Sequence, residues 1–134
     1  MNQYIDFYNE VRETIAARSC AEMNACREDA FRTFSSQGFP SKKVERYRYA
    51  NVEADFSPNY GIALTPLSGP LPPYCFRIGD ADPRVRVIYN NVADNADSIV
   101  ALNIMLCVDT LVVHVPKGIR VEHPIQISNI LKGE

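Results

Sequence analysis

Residues 109–131 read DTLVVHVPKGIRVEHPIQISNIL, an alternating pattern laid across a Pro-Lys-Gly corner. Leu111, Val113 and Val115 precede the corner, Ile119 and Val121 follow it, and Ile125 and Ile127 lie beyond Pro124, all at odd positions. Even positions are mixed, with His114, Arg120, Glu122, Gln126 and Ser128 polar and Val112 apolar. Period-two alternation in β-branched residues predicts strands with one buried face. Pro116 has no N–H to give a ladder and Gly118 tolerates positive φ, so residues 116–118 form a turn. Two architectures fit. One is a β-hairpin closed by a three-residue loop; the other is one coil of a β-helix, whose face needs stacked neighbours for burial.

Upstream, residues 2–18 carry Ile5, Tyr8, Val11 and Ile15 on one stripe, with Asn2 as a cap, which predicts an amphipathic helix. Ser19 and Glu22 have capping-box spacing, so a second helix follows over residues 20–37 with Met23, Cys26, Ala30 and Phe34 on its stripe. Glu28 and Arg32 support it at i,i+4, and Gly38 and Pro40 stop it. The two helices are expected to form an antiparallel hairpin. One further turn of helix is expected over residues 51–55. Five of the nine prolines then fall within residues 58–73, which bars helix and predicts an extended connection with Ile62, Leu64 and Leu67 along the surface. Residues 74–78 and 84–89 read as strands around a Gly79–Pro83 turn, and Asp94 or Asp97 as the cap of a short helix ending at Leu106. The fold class expected is α+β: a helical region at 1–56, a Pro-rich connection at 57–73, and a β-rich region at 74–134.

Composition bounds the function. A chain of 134 residues with 46% hydrophobic and 22% charged residues suits one soluble domain. Its longest apolar run, residues 99–108, is far short of the ~20 residues of a membrane span. Asp6, Glu10 and Glu13 stand where a signal sequence would be basic and apolar, so a cytoplasmic location and no membrane partner are expected. Net charge is −2, and eight of 14 basic residues lie before residue 57 among nine of 16 acids, too even a spread for a dominant nucleic-acid footprint. The exception is Lys42, Lys43, Arg46 and Arg48 interleaved with Tyr47 and Tyr49. Such a cluster either packs its rings under Lys and Arg stems or binds single-stranded nucleic acid or peptide as a small self-contained module.

No catalytic, cofactor-binding or metal-ligating residue is assigned. Cys20, Cys26, Cys75 and Cys107 lack zinc spacing, and Cys26 and Cys107 read as small packing residues. Asp80 and Asp82 do not open a calcium loop, because the twelfth position is Asn91. His114 and His123 fall on opposite faces of the predicted strands, which argues against a joint role. No nucleophile elbow, dinucleotide fingerprint or phosphate loop is present, so no enzyme is expected.

VPKGIRVEHPIQ at residues 115–126, with Leu102, Asn103 and Asp109 before it, resembles the motif that opens the β-helix of the SufB/SufD family of iron-sulfur cluster assembly scaffolds. Residues 38–49, GFPSKKVERYRY, resemble a second pattern, that of the SufD branch, with Tyr47 where many members have Trp. The resemblance implies the N-terminal part of a non-catalytic scaffold subunit whose β-strands begin a right-handed β-helix. It implies a SufB-like subunit and a SufC-like ATPase as partners, met mainly through more C-terminal parts. The iron-sulfur cluster belongs to the assembled full-length complex and not to this segment. The open end of the first coil also predicts a homodimer, and the helical hairpin or the 74–89 strands are expected to cap it.

Overall fold

The computed structural model describes residues 2–59, 61, 62, 64 and 67–128. Helix α1 (Asn2–Arg18) buries Tyr4, Tyr8 and Ile15, and α2 (Ala21–Gln37) buries Met23, Arg27, Ala30 and Phe34. Tyr4 meets Phe34 edge-on, Tyr8 stacks on Phe31 with ring centroids 5.1 Å apart, and the Asn24 amide donates to the Ala16 carbonyl. Successive α1 residues thus meet α2 in reverse order, which is the expected antiparallel hairpin.

Helix α5 (Ser98–Leu106) lies along α2 and completes the core. Its sequence SIVALNIML is apolar nearly all round, as a helix covered on several sides must be, and Ala101, Leu102, Ile104 and Met105 are buried. They join Tyr4, Tyr8, Ile15, Ala30, Phe34 and Val108 in one cluster, with Ile62 and Leu64 of the connection packed against it. Phe39 and Phe56, the latter from α3 (Val52–Phe56), close one end of the hairpin through ring contacts with Tyr4 and Phe34. Gly38 ends α2 at φ 65°, and its N–H bonds to the Phe34 carbonyl.

A two-stranded antiparallel ribbon stands beside these helices: β1 (Cys75–Arg77) pairs with β2 (Leu111–Val113), Phe76 opposite Val112. The fold is α+β, but the ribbon is much smaller than the sequence pattern predicts. No strand continues beyond Val113 among the described residues, and neither the hairpin nor a right-handed β-helix is present there. The turn itself forms, with Gly118 at φ 84° and the Ile119 N–H bonded to the Pro116 carbonyl. Of the alternating side chains after it, Ile119 is 47% exposed and Ile127 64%, while Val121 and Ile125 are half-buried. A strand needs a partner for its backbone and a second layer for its face, and β1 offers a partner over three residues only. Thus β1 pairs with residues 111–113, while beyond them residues 120–125 only face Pro72–Tyr74 across a groove and Ile119 and Ile127 stay uncovered. Residues 129–131 of the predicted pattern lie outside the described residues.

Two local expectations also change. The predicted strand over residues 84–89 is instead the one-turn helix α4 (Pro83–Arg86) followed by turns. Asp82 Oδ1 accepts the Arg84 N–H at 2.8 Å and Pro83 presets φ in the first turn, so local capping outweighs the β-branched run. The capping box at Ser19 does not form. Cys20 is the N-cap of α2, without a side-chain cap bond, because the Ser19 hydroxyl is drawn to Val108 and Arg27. Asp97, in contrast, caps α5 as its position predicts, accepting from the Ile99 and Val100 N–H groups.

Candidate functional site

The basic-aromatic cluster of residues 42–49 follows α2 and turns through a 3-10 segment at Glu45–Tyr47. This turn lays Arg46 and Tyr47 against the start of α5. Arg46 Nη1 is 2.7 Å from Asp97 Oδ2, Arg46 Nη2 is 3.2 Å from Asp94 Oδ2, and the Tyr47 hydroxyl donates to the Asp97 carboxylate at 2.8 Å. Burial would raise the Asp97 carboxyl's pKa, but bonds from Tyr47, the Ile99 and Val100 N–H groups and Arg46 outweigh it, and the carboxyl is held below its ordinary value. The hydrogen bond and charge of Asp97 raise the Arg46 pKa in return. The cluster therefore splits in two: Tyr47, half-buried, and Arg46, still 57% exposed, are engaged by Asp94 and Asp97, while Lys42, Lys43 and Tyr49 are exposed without such anchors to α5. Arg48 lies over the Tyr49 ring, 5.7 Å from its centroid, and pairs with Glu45 at 3.6 Å. What remains is a small positive face interrupted by Glu45, suited to weak contact with an anion and poorly suited to tracking a polynucleotide backbone.

The ribbon supplies the second surface. Hydrogen bonds from Ile78 N–H to the Thr110 carbonyl and from His114 N–H to the Tyr74 carbonyl frame the Phe76–Val112 pair, so the alternating backbone groups of Leu111 and Val113 point away from β1. Among the described residues no backbone bond reaches them on that side. An open strand edge next to exposed Val113, Val115 and Ile119 is a template for another strand. A groove of about 420 Å³ lies between Pro72–Tyr74 and residues 120–125. Tyr74 sits at φ 67°, a left-handed conformation, at the point where the connection enters β1.

The structure does not bring the remaining chemistry-bearing residues together. Cys75 is buried, Cys20, Cys26 and Cys107 are half-buried and free, and the Cys107 thiol donates to the Asp109 carbonyl. His114 and His123 are both exposed, His114 beside β2 and His123 in the groove. Among the described residues no three His, Cys, Asp or Glu side chains gather as metal ligands, and no helix is long and apolar enough to cross a membrane.

Set beside known proteins, residues 1–77 and 80–127 match a model of the family described as SufBD protein N-terminal region. The chain belongs to this SufB/SufD family. No curated protein and no solved structure matches it. The family match spans both the 38–49 and the 115–126 motifs, which places the Arg46–Tyr47–Asp97 contact and the Pro116–Gly118 corner inside a SufBD N-terminal region. Sequence reasoning missed Arg27, the only charged residue of α2 among the buried ones. Its spacing carried the signal: Arg27 is four residues after Met23 and seven before Phe34, on the stripe itself.

Proposed function

We propose that the chain is the N-terminal part of a SufD-like, non-catalytic scaffold subunit in a cytoplasmic SufBCD-type complex that assembles iron-sulfur clusters. The observation that carries this reading is the family match over both motif regions, to which the open β2 edge adds a physical rationale. The alternating segment 111–127 is then the start of a right-handed β-helix whose later coils supply the missing backbone partners and cover Val113, Val115, Ile119 and Ile127. The working division remains a helical region at 1–56, a connection at 57–73 and a β-rich region at 74–134. The α1, α2 and α5 layer closes one end of that solenoid. SufB-like and SufC-like subunits are the partners, met mainly through parts C-terminal to this segment, and the cluster is the cargo of the assembly. Free of those coils, the same edge pairs two copies of the segment into a homodimer.

The test is co-expression of the full-length protein containing this segment with a SufB-like and a SufC-like subunit. A complex of all three that survives gel filtration and supports assembly of iron and sulfide is expected. Failure of the full-length protein to join either subunit would sink the proposal. The competing reading, a module that binds single-stranded nucleic acid or peptide through residues 42–49, is weakened by the engagement of Arg46 and Tyr47 with Asp97. It would be revived by low-salt binding of a single-stranded oligonucleotide that falls steeply with added salt.

A further inference from the structure

Arg46 and Tyr47 are engaged by α5, but the turn just before them is open on its outer side. The Val44 N–H bonds to the Ser41 carbonyl at 3.0 Å and the Lys43 N–H to Ser41 Oγ at 3.3 Å, which closes a tight turn with Lys42 and Lys43 at its tip. Both lysines are exposed, and among the described residues neither has an ion-pair partner. The two ends of the turn, Ser41 and Val44, line a groove of about 420 Å³. Phe39 and Pro40, just after α2, and Ala96, just before α5, line it too, and Val44 stands 46% exposed there.

Asp97 is the one carboxylate among the lining residues. Its side chain is only 6% exposed and is neutralised by Arg46 at 2.7 Å while it accepts from the Tyr47 hydroxyl. The groove therefore offers largely apolar walls beside two unpaired cations. The same Asp97 contacts fix the chain after the turn to α5, so an occupant would have little backbone to order on binding. We infer that this groove docks an acidic peptide segment of a partner protein, an apolar side chain entering beside Phe39, Pro40 and Val44 while flanking carboxylates meet Lys42 and Lys43. A polynucleotide fits less well. Two lysines cannot follow its backbone and Glu45, next to Val44, opposes it, whereas a peptide needs one seated side chain and a few carboxylates. The charges used are those that the Asp97 contacts leave free, and the inference does not depend on the SufBCD assignment.

The probe is a short synthetic peptide of glutamates around a central leucine, titrated at low salt into the whole isotope-labelled chain and followed by NMR. The same peptide with serine for leucine, and a thymidine oligonucleotide of equal length, are the comparisons. Saturable amide shifts centred on residues 41–44 and 96–98 are expected. Lys42→Gln combined with Lys43→Gln should weaken binding roughly threefold to tenfold, as loss of two exposed charge contacts does, and added salt should act in the same direction. The serine peptide should bind roughly tenfold more weakly, because its side chain gains nothing from apolar walls. Both lysines are exposed, so the double variant is expected to keep the fold. Absence of saturable shifts, equal affinity for the two peptides, unchanged affinity in the lysine variant, or tighter binding of the oligonucleotide would each overturn the inference.

Discussion

Helix α5 and the segment 114–128 are both rich in branched apolar residues, yet the chain treats them oppositely. In α5, Ala101 and Met105 are fully buried, whereas Ile119 and Ile127 stand about half and two-thirds exposed. The difference lies in where backbone hydrogen bonds come from. A helix satisfies its own N–H and C=O groups and needs neighbours only for its side chains. An extended segment needs a partner for both, and β1 partners only residues 111–113.

Substitutions can break this contrast. Phe34→Ala, at a fully buried position touching Tyr4 and Phe39, is expected to cost about 3–5 kcal/mol in urea unfolding followed by circular dichroism. Similar costs at Phe34 and Ile127 would show that the two regions are equally packed. Asp97→Ala is next. It removes the α5 cap together with the Tyr47 and Arg46 anchors, and a loss of about 1–2 kcal/mol at pH 7 is expected. The Asp97 carboxyl is held below its ordinary value in the folded chain, so its contribution is whole above the unfolded pKa of about 4 and is lost as pH falls through the lowered folded value. The stability gap between wild type and Asp97→Ala should therefore narrow on acidification; a gap constant down to strongly acid pH would discount the carboxylate.

Smaller effects sharpen the other side. Ile119→Ser in this chain should stay within about 0.5 kcal/mol, as surface changes do. The same change in the full-length protein should cost about 1–3 kcal/mol if a second coil covers the residue, and equal small effects in both contexts would argue against the β-helix. The least disruptive probe is Asp82, whose carboxyl is held to about 2 by the Arg84 side chain and N–H. Its carboxyl resonance should titrate near that value by NMR and return towards 3.8 in Arg84→Ala. A wild-type midpoint near 3.8 would show that the α4 cap is frayed in solution.

Where residues satisfied their requirements locally, the sequence was a sufficient guide. The stripe in α1, the Gly38 stop of α2, the Asp97 cap of α5 and the Gly118 turn all depend on groups within a few residues of each other. Local logic was also present but misread at Asp82-Pro83, where a cap and a first-turn proline outweighed the strand preference of residues 84–89. The candidate surfaces were half legible: residues 42–49 stood out by composition, but nothing in their order says that Arg46 and Tyr47 reach Asp97, some fifty positions away.

The amino-acid sequence by itself determined the three main helices, the corner at residues 116–118 and the family, because periodicity, caps and motifs are written in neighbouring residues. Only the tertiary structure decided that Ser19 abandons its capping role, that Arg27 is buried as a cation across α2, α5 and the approach to β2, and that the strand pattern stops at Val113. Each of those outcomes turns on a partner distant in the chain. Hydrogen bonds to such partners are gained only when folding brings the groups together, so no local pattern encodes them.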